Sequence, residues 1–409
     1  AIASDVVKGE QRTLLQSIKK SMSQPPADLA KRVEQAAYDA AKLRPWVRNW
    51  ALCTEVEGAP LLKRKRFKEF SELIQIPSYH GFKRANPDIT VYPDGGTSGY
   101  SMTRGFHEME AYLKESRGKV KWDAIAVHPY WNLDGSGGTN DWDAETQRLK
   151  EQMLRYGYDE NTPIDFTECF NMLPMDLPEW GADAWGDSYL SGVPTYNWGW
   201  REYMHATWVC RMFVMSLKHW PQLRSTNIWM ARPYLDFYLS PWAMCKVPNT
   251  LGHLLPKPKF IADIRPMGGI RGYAFENEQG EPVIAIWCAI DRVEDGLERG
   301  PQIHVDLHGL SPQFMDMMGN SRKAPMEDGQ AVLQLAPAPI FIIGKKGQTQ
   351  QLVTAMNQAD VIGGSNTLNV AVVPDVDGHV KLELKNQTNR QLTGKVQLTD
   401  QQIPYTVAA

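Results

Sequence analysis

Hydrophobic positions recur with two different periods along this chain, and the changeover divides it. Between residues 8 and 22, Leu14, Leu15, Ile18 and Met22 fall at helical spacing, and the alanine-rich stretch 27–43 predicts a second helix. The short apolar run from Val47 to Thr54 predicts a buried strand, and a basic amphipathic helix is expected near 61–75. The alternation continues with strands at 88–92, 123–127, 163–167 and 226–230 and helices at 101–117, 141–157, 200–219 and 257–267. Pro93-Asp94-Gly95-Gly96 supplies a turn after the second strand. Strand and helix alternating in this way predict βαβ units and a parallel sheet.

After Gly268-Gly269 the period falls to two. Runs at 273–276, 282–287, 303–307, 331–335 and 340–343 predict short strands with turns between them, an antiparallel β-sandwich pattern. Residues 344–351 read as a linker, and 368–373, 380–384 and 394–398 as the start of another β module. The 58 residues from 352 onward fall short of the roughly 100 of a full immunoglobulin-like sandwich.

Composition narrows the function classes. At 409 residues the chain suggests two or three domains, and 43% apolar with 22% charged residues are globular values. A net charge of −3 gives no strong pull toward nucleic acid or anionic membranes. The basic run from Lys63 to Lys68 reads as a solvated helix face. No apolar stretch approaches the ~20 residues of a membrane helix, so no membrane span is expected. The start Ala1-Ile2-Ala3-Ser4-Asp5 lacks a signal pattern, which fits either a processed mature terminus or a cytoplasmic protein. Five scattered cysteines without a Cys-x-x-Cys argue against a zinc ribbon or a thioredoxin-like site. Fourteen tryptophans are more than a core readily absorbs, because each buried indole N–H needs a partner; a surplus suits stacking on sugar rings.

Candidate chemistry gathers just after three of the strands. The first ends Cys53-Thr54-Glu55-Val56-Glu57-Gly58, the third Val127-His128-Pro129-Tyr130-Trp131, and the fourth Phe166-Thr167-Glu168-Cys169-Phe170. In parallel α/β folds the carboxyl ends of the strands share one face, where active sites form. Two glutamates converging there match the carboxyl pair that cleaves a glycosidic bond. Taken singly, each residue has a plainer role: a surface glutamate, a satisfied structural histidine, a core tryptophan.

These segments resemble those of clan A glycoside hydrolases, nearest to the β-xylosidase/α-iduronidase type. Trp50-Ala-Leu-Cys-Thr-Glu55-Val-Glu-Gly58 resembles the motif after barrel strand four, which carries the acid/base. Pro163-Ile-Asp-Phe-Thr-Glu168 resembles the strand-seven motif, which carries the nucleophile. Asp123-Ala-Ile-Ala-Val-His128-Pro-Tyr130 resembles the strand-six motif, and Trp229 matches the strand-eight tryptophan that floors a sugar subsite. Lys257-Pro258-Lys259-Phe260 resembles the final barrel helix, and segments at 314–320 and 337–342 the sandwich domain that follows.

The resemblance implies an α/β plus all-β chain: part of a (β/α)8 barrel, strands four to eight, over 1–269, a β-sandwich over 270–345 and a second, incomplete β-sandwich module over 352–409. A closed barrel needs eight strands and only five are counted, so strands one to three are expected to be missing, through processing or supply by another chain or fragment. A five-stranded open sheet is the competing arrangement. The implied activity is retaining glycoside hydrolysis of a poly- or oligosaccharide, with Glu55 as acid/base and Glu168 as nucleophile. Glu57 is the fallback, because a two-residue shift keeps the same strand face. Thr54, His128, Tyr130, Trp131, Trp180, Trp198 and Trp229 would bind the sugar. No metal or organic cofactor is implied, and an extracellular or periplasmic setting suits a polysaccharide substrate. The chain departs from the motif at Thr54, where asparagine is usual, and at Val56, where proline is usual. Those departures support a second reading, a catalytically degenerate carbohydrate-binding or assembly protein.

Overall fold

The computed structural model describes residues 27–52, 67–95, 102–132, 142–172, 198–228, 245–267, 269–288, 300–362, 368–374, 380–386, 391–398 and 401–407. The chain divides into two compact units. The first comprises residues 1–132, 143–172 and 221–229, and the second 133–142, 173–220 and 230–409.

The first unit is built on a parallel sheet. Its strands are β1 (Asn49–Leu52), β2 (Thr90–Gly95), β3 (Ile125–Val127), β4 (Tyr130–Asn132), β5 (Ile164–Met172) and β6 (Leu223–Ile228). Every pairing is parallel, and the order is β1-β2-β3-β5, with β6 on the far side of β5. β4 resumes the line of β3 after His128-Pro129 and pairs with the upper half of β5. Each strand thus lies beside its sequential predecessor, without the order reversal of a doubly wound sheet. One face carries Val91, Ile125, Val127, Ile164 and Phe166, all buried. On the other, Tyr92, Ala124 and Ala126 pack together, and Ala126, Asp165 and Ser225 stand in one cross-strand row.

Helix α1 (Leu29–Leu43) and a long helix, α2, pack beside this sheet. α2 runs through Phe67–Phe70, a π turn Ser71–Gln75, and Ile76–Ala85. The π turn has a local cause: Pro77 has no N–H and its ring crowds the carbonyl four residues earlier, and widening the preceding turn relieves both. Helices α3 (Met102–Ser116) and α4 (Trp142–Arg155) complete the alternation, with α3 against β2 and β3. The basic helix expected near 61–75 therefore extends to Ala85, and residues 61–66 lie outside the described residues, as does the helix expected over 8–22.

The side of the sheet at the strands' amino ends is held by polar contacts. Lys83, in the last turn of α2, donates to the carbonyls of Pro87 and Ile89 and to Asp123, whose other oxygen accepts the Val91 N–H. Trp122 is buried with its indole N–H on Ser116 at 3.0 Å. Burial pushes the Tyr158 phenol beside it up to about 12.

The second unit contains α5 (Trp198–Lys218), α6 (Lys246–Leu254) and two antiparallel sheets. The six-stranded sheet has the order β12-β11-β15-β9-β8-β7: Ser321–Arg322, Gln313–Asp316, Ile340–Ile343, Pro282–Cys288, Ile270–Glu276 and Lys259–Ile264. The four-stranded sheet has the order β13-β14-β10-β16: Met326–Glu327, Gln330–Gln334, Gln302–Val305 and Asp360–Ile362. Ile284, Ile286 and Ile342 of the first sheet and Ile303, Val305 and Leu333 of the second belong to one buried cluster. Helix α7 (Thr349–Asn357) closes it with Leu352, Val353, Ala355 and Met356. Two further antiparallel pairs follow, β17 (Leu368–Pro374) with β18 (Val380–Asn386), and β19 (Leu392–Leu398) with β20 (Gln401–Val407).

Two expectations are corrected. The stretch 257–267 is not a helix: Lys259–Ile264 is β7, antiparallel to β8. Pro256 and Pro258 disfavour helical geometry in the residues before them, Lys257 sits at φ 44°, and Phe260, Ile261 and Ile264 favour a strand. The expected linker 344–351 runs into α7 at Thr349, because Leu352, Val353 and Met356 at helical spacing have a core to fill.

Helices α1 and α2 are in close contact at Gly81. A Cβ there would come within 2.1 Å of the Glu34 carbonyl oxygen and 2.9 Å of the Ala37 Cβ. In an open helix Gly81→Ala would stabilise by about 1 kcal/mol; here it should cost about 1–3 kcal/mol through overpacking. A thermal melt showing a higher Tm for Gly81→Ala would overturn this packing.

Candidate active site

The carboxyl end of β5 departs from regular pairing. Against β3 the register is Ile125–Ile164, Ala126–Asp165 and Val127–Phe166, and it resumes on β4 as Tyr130–Phe170. Two residues, His128 and Pro129, therefore lie opposite three, Thr167, Glu168 and Cys169. Against β6 the partners are Phe166–Thr226 and then Cys169–Ile228, so Asn227 alone faces the pair Thr167–Glu168. β5 carries one extra residue relative to both neighbours, and Glu168 is within it. Bulges are rare between parallel strands and occur next to active sites, where they re-aim a side chain.

Neighbouring groups satisfy the backbone around this bulge. The Asn227 Nδ2 donates to the Phe166 carbonyl at 3.2 Å and to the Ser225 hydroxyl at 3.4 Å. The Cys169 thiol donates to the Asn227 carbonyl at 3.0 Å. Below the bulge, buried Asp165 accepts from Arg224 Nε at 2.8 and 3.0 Å, from its Nη2 at 2.5 Å, and from the Ser225 hydroxyl at 2.7 Å. Its hydrogen bonds to the Asp165 carboxylate hold the Arg224 guanidinium above its usual range.

The structure brings the backbones of several expected site residues together at the carboxyl end of β5. The backbone of Glu168 lies in β5, with Tyr130 and Trp131 in β4, which pairs with β5 two residues further on. His128 follows β3 and is buried, 5% exposed. Trp198 is the first residue of α5, in the second unit. Thr54, Glu55, Glu57, Trp180 and Trp229 lie outside the described residues. Among the described residues no group of three or more His, Cys, Asp or Glu side chains is placed to hold a metal ion, and no helix is long and apolar enough to cross a membrane.

Sequence reasoning passed over Asp165, Arg224, Ser225 and Asn227. One signal was available: an aspartate inside an otherwise apolar strand requires a partner, because a buried lone carboxylate is prohibitively costly. The partner was hidden because the strand was expected at 226–230, whereas β6 begins at Leu223.

Comparison with protein-family models and with curated protein sequences finds no match. Solved structures do match. The chain is similar to a family 39 glycoside hydrolase from the gut symbiont Bacteroides cellulosilyticus WH2, with a TM-score of 0.51 and 16% identity, covering 76% of this chain and 60% of that one. It therefore spans about 60% of the length of that protein. A glucosidase from Croceicoccus marinus (TM-score 0.43, 14% identity, 78% of this chain and 75% of that chain) also matches. So does a GH51 arabinofuranosidase from Xanthomonas axonopodis pv. citri (TM-score 0.42, 13% identity, 77% and 73%). These structural neighbours are clan A glycoside hydrolases with TIM-barrel folds. At such identities the likeness is one of fold, and the chemistry rests on the residues.

Removing the Arg224 guanidinium would leave Asp165 as a buried, partly uncompensated charge. Arg224→Met should cost about 3 kcal/mol, at the low end for buried pairs because Arg224 is 35% exposed. Asp165→Leu combined with Arg224→Met should be less harmful than Arg224→Met alone. Urea denaturation of both variants checks this, and a loss below about 1 kcal/mol for Arg224→Met would contradict it.

Proposed function

We propose that the first unit is the strand-four-to-eight part of a (β/α)8 barrel and that the chain is a retaining glycoside hydrolase acting on a poly- or oligosaccharide. In this reading the antiparallel sheets of the second unit form the sandwich that follows the barrel, and the pairs β17–β18 and β19–β20 belong to a further, shorter β module. The sequential order of parallel strands supports the barrel over an open doubly wound sheet. The observation that carries the function is the bulge at Glu168, at the carboxyl end of an inner strand, facing the His128-to-Trp131 segment.

Glu168 is the proposed nucleophile and Glu55 the acid/base. The Glu168 carboxylate attacks the anomeric carbon while the bond to the leaving oxygen breaks, and the Glu55 carboxyl proton passes to that oxygen. The resulting glycosyl ester is then attacked by water. Glu55 takes the water proton, the new C–O bond forms, and Glu168 departs as a carboxylate. His128, Tyr130, Trp131, Trp180, Trp198 and Trp229 are the proposed sugar contacts, with Thr54 taking the usual asparagine's place.

A second reading, sugar binding without turnover, is favoured by Thr54 and Val56 at motif positions that usually hold asparagine and proline. The full chain, assayed on aryl glycosides of common pentoses and hexoses in both anomeric forms, should release the aryl group from one of them, and Glu168→Gln should abolish that release. A 2-deoxy-2-fluoroglycosyl fluoride of the same sugar should leave its label on Glu168 by peptide mass. Full activity in Glu168→Gln would exclude the mechanism. Binding of oligosaccharide with neither turnover nor labelling would select the second reading.

A further inference from the structure

We propose that Asn227 is a positioning residue for Glu168, holding open the β-bulge that sets where the nucleophile's backbone stands; this rests on the glycosidase reading above. Asn227 is the single β6 residue opposite Thr167 and Glu168. A bulge breaks the ladder and leaves backbone groups in need of partners. The Asn227 side chain meets that need at the Phe166 carbonyl, to which its Nδ2 donates at 3.2 Å, and the Cys169 thiol donates to the main-chain carbonyl of Asn227 at 3.0 Å. The two contacts bracket the extra residue on its amino and carboxyl sides.

Asn227 is suited to this by its chemistry. Its amide supplies a donor at the end of a short side chain, and at an exposed position it could be replaced at little cost in burial. Aspartate has the same shape and no donor, so its carboxylate would face the Phe166 carbonyl without a proton between them. Alanine removes the donor that ties β6 to the Phe166 carbonyl, which relaxes the bulge toward regular pairing and slides Glu168 along the strand. A displacement of about 1 Å at a reacting group can cost on the order of 100-fold in rate.

The test uses the full chain with the aryl glycoside that it turns over, comparing Asn227→Ala and Asn227→Asp with wild type and Glu168→Gln. Both Asn227 variants should lose about 10- to 100-fold in kcat with KM changed less than about 3-fold. Their Tm values should stay within a few degrees of wild type. The acidic limb of kcat/KM against pH should also move, because that limb reports the nucleophile's surroundings. Wild-type kcat and an unmoved acidic limb in both Asn227 variants, with Glu168→Gln inactive, would overturn the positioning role and leave the glycosidase reading standing. So would a rate loss matched by an equal loss of folded protein. An active Glu168→Gln would overturn both.

Discussion

β5 is the strand on which the first unit turns. It is paired on both sides and must satisfy two opposed requirements between Asp165 and Glu168. At Asp165 it carries a carboxylate into a buried position; at Thr167-Glu168 it leaves the ladder. The first is met by Arg224 and Ser225 and the second by Asn227, so three residues of β6 hold both ends of the problem. Hydrogen bonds run continuously from Arg224 to Asp165, to Ser225 and to Asn227. A polar network anchored on a buried carboxylate is stabilising only when its members are satisfied.

The two ends of the parallel strands are specialised differently. At the amino ends, Lys83, Asp123, Trp122 and Tyr158 lock helix ends and strand entries together. At the carboxyl ends, β3 is interrupted at His128-Pro129 and β5 gains a residue. In the second unit, buried Arg211 has a comparable fastening role, with Nε on the Pro337 carbonyl at 2.8 Å and Nη2 on the Cys288 carbonyl at 3.0 Å.

Much of this was legible in the sequence. Strands centred on Ala126 and Phe166 are short apolar runs followed by polar or aromatic clusters, and runs of that kind declare buried parallel strands; the strand at Trp50 forms where expected but is not buried as expected, since Asn49 and Ala51 are exposed and only Leu52 is buried. The placement of Glu168, His128 and Tyr130 near one another followed from the rule that strand ends share a face. Other features could not be read. The strand β7 was mistaken for a helix because its apolar residues fit both periods until the flanking prolines are weighed. α7 was hidden because the Gly-Lys-Lys-Gly approach looks like a linker, while its helix is stabilised by a core to which residues far away in sequence contribute. The bulge has no local signature, since it exists only in the comparison of β5 with two other strands.

That comparison also links the ion pair to the bulge. Between β5 and β6 the numbering offset is 59 at Ile164–Leu223, 60 at Asp165–Ser225 and Phe166–Thr226, and 59 again at Cys169–Ile228. β6 gains a residue first, at Arg224, and β5 gains one immediately above it. Each shift alone would carry every later pair to the wrong face, because side chains alternate with a period of two. Together they cancel, and the strands leave the region in the register in which they entered. The extra residue on β6 is the arginine that neutralises Asp165, and the extra residue on β5 lies in the pair containing Glu168. The arginine that pairs with Asp165 and the backbone displacement at Thr167-Glu168 are therefore two halves of one register correction.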